Sequence, residues 1–223
     1  MKRLLTEGKN NTKTAKNSLK TYYLSLQPAS LNSKKENLCK FSTKACRDSC
    51  LQYAGRQIFS NVVKSRERKT ELFVNNRELF ISTLWEELKV LNKSRCAVRL
   101  NLLSDVDWKA EFLRFGFDLS ELDKIQMYDY TKDHLKILSN DLPNYHLTLS
   151  HSGYNWPICE KFLRESIANV AVVFESVPST YMGFKVINGD ESDERFLDEK
   201  GVIVGLKYKR PKNGAERDTK FVI

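Results

Sequence analysis

Short apolar runs alternate with amphipathic stretches along most of this chain. Tyr22-Tyr23-Leu24-Ser25-Leu26 reads as a strand closed by Pro28. From Glu71 to Leu91, apolar residues at Leu72, Phe73, Leu79, Phe80, Leu84, Leu88 and Leu91 predict helix. Strands are expected at 97–102, 125–130, 145–149 and 170–174. Helices are expected between and after them, at 108–115, 133–138 and 158–168. Two further strands follow at 184–187 and 202–206. The run Val170-Ala171-Val172-Val173-Phe174 is nearly all apolar, as a parallel strand covered on both faces must be.

Strands alternating with helices of this length imply right-handed βαβ units and a largely parallel sheet. The expected fold is therefore α/β: a single domain over residues 21–223, with a mostly parallel sheet forming a partial (β/α) barrel and a cysteine loop at 38–56. Residues 1–20, rich in Lys, Asn and Thr, are expected to form a flexible basic arm. Polar residues gather just past the strands: Asn101, Ser104 and Asp105; Asp129 and Lys132; Ser150 and His151; Glu175; Asp190. In parallel α/β folds these strand ends line the ligand site. Taken singly, an Asp, Ser or Asn at such a place is more simply a cap for the next helix. Taken as a set, the residues point to a site.

Charge adds a direction to this picture. The chain of 223 residues carries a net charge of +9, and its basic excess is concentrated in the first 70 residues. A second basic segment, with Lys207, Lys209, Arg210, Lys212 and Arg217 around Tyr208, could follow a phosphate backbone. Nucleic acid or a nucleotide is the partner class this suggests; a merely soluble surface is the plainer alternative. No apolar run approaches the roughly 20 residues of a membrane span, and Met1 to Glu7 turns polar too soon for a signal peptide. A cytoplasmic location and no membrane contact are expected. The phosphate-binding G-x-x-x-x-G-K-[ST] loop, the dinucleotide G-x-G-x-x-G fingerprint and a nucleophile elbow are all missing from the sequence.

The chemistry is most visible at the cysteines. Cys39, Cys46 and Cys50 stand in a C-x6-C-x3-C spacing among Lys40, Lys44, Arg47 and Arg56. With helix from Ala45, Cys46 and Cys50 would share a face, and Cys39 would reach the same point from the preceding loop. Three thiolates can hold one metal or one cubane cluster and leave a coordination position open. The nearby cations would favour thiolate. An iron–sulfur cluster, [4Fe–4S], is favoured over zinc because no fourth ligand is evident and the spacing matches no zinc finger. Three unrelated core cysteines, or a redox pair, are the competing readings. Cys96 and Cys159 read as lone core cysteines.

Several blocks in fixed order carry a family resemblance. They include the cysteine loop, Tyr53-Ala54-Gly55-Arg56, Val98-Arg99-Leu100-Asn101 with Ser104-Asp105, Tyr128-Asp129-Tyr130-Thr131-Lys132, and Asn144-Tyr145-His146-Leu147-Thr148. Further blocks are Asn169 to Phe174 and Val186-Ile187-Asn188-Gly189-Asp190. The chain resembles the phage-encoded gene product 88 family, which implies a viral origin and one domain but no reaction. More weakly, it is similar to radical S-adenosylmethionine enzymes, which carry three cysteines after the first strand of a partial barrel. Their C-x3-C-x2-C spacing and their glycine-rich segment after the second strand are not matched here. Those departures count against S-adenosylmethionine and leave the cluster itself in place.

The expectation is thus a phage-type iron–sulfur enzyme acting on a nucleotide, nucleic acid or other anionic substrate. Cys39, Cys46 and Cys50 would be metal ligands, and Asn101, Asp105, Asp129, Lys132 and Asp190 would line the catalytic site. Arg56, Arg66 and Lys69 would bind anionic groups. The alternative is a non-catalytic module that binds nucleic acid or a host protein around a structural metal.

Overall fold

The computed structural model describes residues 2–10, 14 and 17–223. Among these residues the strands are β1 (Thr6–Glu7), β2 (Thr21–Tyr23), β3 (Cys96–Arg99), β4 (Ile125–Thr131), β5 (Tyr145–Ser150), β6 (Val170–Phe174), β7 (Thr180–Tyr181), β8 (Phe184–Asn188) and β9 (Ile203–Lys207). The α-helices among them are α1 (Lys44–Asp48), α2 (Ser60–Asn75), α3 (Arg77–Leu91), α4 (Trp108–Arg114), α5 (His134–Leu138) and α6 (Trp156–Arg164). The strands form one sheet in the order β1-β2-β3-β4-β5-β6-β9-β8-β7. The pairs β2–β3, β3–β4, β5–β6, β6–β9 and β8–β9 are parallel, while the two edge pairs, β1–β2 and β7–β8, are antiparallel. From β2 to β6 the spatial order follows the chain without reversal. Right-handed crossovers that all step the same way lay their helices on one face, which is barrel-type winding rather than a doubly wound sheet. The open, mostly parallel sheet of this single α/β domain fits the expected partial barrel.

Within the domain the chain packs as two units: Met1–Lys40, Phe59–Asp129 and Asn140–His146 in the first, Phe41–Ile58, Tyr130–Ser139 and Leu147–Ile223 in the second. The core of the first unit is aromatic. Phe73 and Phe80 meet edge-on at 5.0 Å, and Trp108 packs on both, at 5.5 and 6.3 Å. The single helix expected from Glu71 to Leu91 is in fact two helices. Asn76, with φ −142° and ψ 74°, ends α2 and caps α3 by accepting from Leu79 N. An asparagine whose side chain satisfies an orphan N–H makes this break favourable.

The segment expected as a mobile arm is docked over residues 4–7. Leu4 is fully buried and Leu5 nearly so. Their N–H groups donate to the two carboxylate oxygens of Glu87 on α3, at 2.7 and 2.8 Å, and Thr6 and Glu7 pair with β2. Two buried leucines and a bidentate carboxylate outweigh the polar composition that suggested mobility. Residues 1, 11–13, 15 and 16 of the expected arm lie outside the described residues.

In the second unit, α6 lays Cys159, Phe162 and Leu163 on Leu149, Val170, Val172, Phe174 and Ile203. Full burial of such side chains contributes about 2 kcal/mol each. The last residues extend the parallel pairing: Val222 bridges Val173, Ile223 N donates to Val173 O at 3.0 Å, and Glu175 N donates to Ile223 O at 2.8 Å.

Candidate active site

The cysteine segment is built differently in its two parts. In the first unit, Cys39 is buried, and its thiol donates to Leu103 O at 3.4 Å in the loop that follows β3. That loop is held from the other side by Asp105 N, which donates to Leu38 O at 2.8 Å. In the second unit, Thr43 caps α1, its hydroxyl accepting from Cys46 N and donating to Ser152 O at 2.9 Å. Ser152 lies just past the carboxyl end of β5. Ala45 is buried against Phe221 and Val222, with Cys46 and Val173 packed on the same cluster. The first unit therefore brings Cys39, and the second the helix that carries Cys46, to the carboxyl ends of parallel strands, where such folds bind ligands.

The expected common helical face for Cys46 and Cys50 is not found. The helix stops at Asp48, and Cys50 is extended, with φ −62° and ψ 135°, ahead of a short 3-10 turn over Leu51–Tyr53. Two of the cations around the cysteines have other partners. Lys44 pairs with Asp48 at 2.5 Å, and Arg47 donates to Ser42 O at 2.7 Å. Among the described residues, no three His, Cys, Asp or Glu side chains are grouped so as to hold a metal ion.

Two of the expected catalytic residues do come together, in a buried network of the first unit. Asp129 Oδ1 accepts from Asn101 N at 2.7 Å, and Oδ2 accepts from the Tyr145 hydroxyl at 2.7 Å. Asn101 Oδ1 accepts from Ser104 Oγ, Val106 N and Trp108 Nε1, at 3.0, 2.9 and 3.1 Å. Burial first, and then the Asp129 carboxylate, push the Tyr145 phenol well above its ordinary pKa. Asn101 and Asp129 are 2% and 1% exposed, so their polar atoms brace the ends of β3 and β4 from within. Asp107, the neighbour of this loop, caps α4 by accepting from Ala110 N at 3.1 Å.

With this geometry in view, a sequence model of the family described as gene product 88 matches residues 3–223. The chain belongs to the gene product 88 family. No curated protein and no solved structure matches it.

The remaining expected site residues of this gene product 88 protein are dispersed. Arg66 and Lys69 lie on α2, each 3% exposed. Arg66 Nε donates to Gln27 Oε1 at 2.7 Å, and Lys69 Nζ to Thr6 Oγ1 at 3.3 Å. Both are turned into the first unit and make hydrogen bonds there. Desolvation, followed by repulsion from Arg68, pulls the Lys69 pKa from 10.5 down to about 8. Arg56 is exposed in the turn Gly55–Ile58. Asp190, past β8, accepts from Lys207 N at 2.8 Å and lies 3.9 Å from the Lys209 ammonium. Soon after Asp190 the chain turns inward: Asp193, Glu194 and Arg195 are buried, and Arg195 faces Asp198 at 3.3 Å. Burial raises the Asp198 pKa despite that cation.

Lys132 follows β4 and acts electrostatically on His151, which follows β5. His151 stood among the polar strand ends in the sequence, but nothing there marked its burial. The basic C-terminal segment is partly neutralised, since Arg210 and Arg217 both pair with Glu175. Among the described residues no helix is long and apolar enough to cross a membrane.

Proposed function

We propose that this chain is an iron–sulfur enzyme acting on an anionic substrate, a nucleotide, a nucleic acid or a related molecule, at the carboxyl ends of its parallel strands. The observation that carries the reading is the anchoring of the cysteine segment at those ends: Cys39 on Leu103 past β3, and α1 on Ser152 past β5. Cys39, Cys46 and Cys50 are the proposed ligands. A cluster held by three thiolates would supply an iron with an open position. Loading asks Cys39 to exchange its hydrogen bond to Leu103 O for a bond to iron, with loss of the thiol proton. Zinc is the weaker choice, because a closed site needs a fourth ligand. Lys132 supplies positive charge at the strand ends, and Asp105 is the carboxylate on the loop that holds Cys39. The binding-module reading has less support, since Arg210 and Arg217 are already paired with Glu175.

The test is anaerobic iron reconstitution of the wild type and of the triple variant Cys39→Ala, Cys46→Ala, Cys50→Ala. Iron should fall to background in the variant while its circular dichroism stays that of the folded wild type. A folded variant with undiminished iron would remove these residues as ligands.

A further inference from the structure

The turn between β5 and α6 carries polar groups that the fold leaves unused. His151 is 6% exposed, and its backbone N–H donates to Ala171 O at 2.9 Å. Its ring is another matter: Nδ1 is sealed from solvent with no hydrogen-bond partner. Trp156, the first residue of α6, meets the imidazole edge-on at 5.9 Å, and its indole N–H is also buried without a partner. Native structures rarely leave such groups unsatisfied, and two adjacent ones ask for a common explanation.

The helix that begins there has no side-chain cap, although its Ile158 and Cys159 N–H groups both close on Asn155 O at 3.1 Å. The Asn155 side chain accepts from Ser152 N at 2.7 Å and donates to Ser150 O at 3.1 Å, so it braces the turn and gives α6 no side-chain cap. Pro157 follows Trp156 without an N–H of its own. The positive end of the helix dipole is thus left facing the turn. Burial and the Lys132 charge pull the His151 pKa down to about 4, and no carboxylate is among the groups acting on it. The imidazole is therefore neutral at physiological pH, with one N–H to donate. The Lys220 ammonium adds positive charge, 5.2 Å from the Tyr154 ring of the same turn. Unused side-chain donors, the positive end of an uncapped helix and nearby cations all favour one chemistry: a compact anion with several acceptor oxygens.

We propose that the β5–α6 turn is a phosphate subsite, in which His151 and Trp156 Nε1 donate to the phosphate oxygens while Lys132 and the N-terminus of α6 supply the favourable field. This assignment rests on the strand-end reading for its place in the molecule, and it is independent of the cysteine ligands. It narrows the anionic substrate to a phosphate ester.

The experiment titrates inorganic phosphate into the wild-type protein at constant ionic strength and follows the imidazole resonances of the three histidines. Only the His151 resonance should shift, and it should saturate at millimolar phosphate, with a smaller response to acetate. His134 and His146 are the internal controls. His151→Phe should weaken phosphate binding by about tenfold or more. The wild-type titration stands even if that variant folds poorly. A shift spread over all three histidines, or no saturable shift, overturns the proposal and leaves an ordered water as the occupant of the turn. Iron loading without a His151 response sinks this inference alone; the response without iron sinks the cluster reading alone.

Discussion

Asp129→Ala is expected to lower stability by about 3–5 kcal/mol, because two buried donors and a braced pair of strand ends lose their acceptor together. The Asn101 N–H and the Tyr145 hydroxyl both end on this carboxylate at 2.7 Å, and neither has water to turn to. The Asn101 side chain, which donates to Oδ2 at 3.4 Å, would also be disturbed, and with it the contacts to Ser104, Val106 and Trp108. Asp129→Asn keeps an acceptor oxygen and should cost less than half as much. Urea unfolding of the two variants is the measurement. If Asp129→Ala kept the wild-type midpoint, Asp129 would not be a bracing residue, and its sequence assignment to catalysis would regain its force.

Lys69→Met should act in the opposite direction. Burial holds the Lys69 pKa at about 8 in the folded protein, against an ordinary value of 10.5. Below pH 8 both folded and unfolded chains carry the proton, and the folded state bears the whole cost of a buried charge. Between about 8 and 10.5 the unfolded chain holds a proton that the folded chain lacks, so stability rises with pH across that window. Met, of similar length and no charge, removes the cost. At pH 7 it should raise stability by about 2–3 kcal/mol, less the small loss of the contact to Thr6. The advantage should shrink as pH rises through 8 and vanish near 10.5. An advantage independent of pH would mean that packing, and not desolvation, is the cause.

The sheet was legible wherever side-chain alternation or an unbroken apolar run extended for four residues or more, as in β3 to β6, β8 and β9. The edge strands β1 and β7 have two residues each and carry no pattern to read. The first half of α2 was hidden for a different reason. Its buried face is made of Arg66, Lys69 and Thr70, so the stripe that faces the core does not look apolar. The same burial, at Arg66 and Lys69, is not visible in the sequence, which presents both only as cations open to an anion. A lysine in sequence carries a charge, and only the fold says whether an anion can reach it.

The placement of polar residues near the strand ends was legible in outline. Asn101, Asp129, Lys132 and His151 do stand at strand ends, as the alternation implied. What sequence could not supply was the partner of each group. Tyr145 lies 16 residues from Asp129, and Thr43 lies 109 residues from Ser152. The helical face proposed for Cys46 and Cys50 failed because Ser49 ends the helix, its N–H turning back to Ala45 O and Arg47 O. Cys39 still reaches a strand end by its thiol bond to Leu103, and the helix that carries Cys46 is tied to another by the Thr43 hydroxyl bond to Ser152.

Mössbauer spectroscopy of the anaerobically iron-reconstituted protein tests the central claim most directly. The account predicts a sulfur-ligated [4Fe–4S] cluster in which one iron, lacking a cysteine ligand, is distinct from the other three. A folded protein that takes up no iron, or binds it only through oxygen and nitrogen ligands, would contradict it.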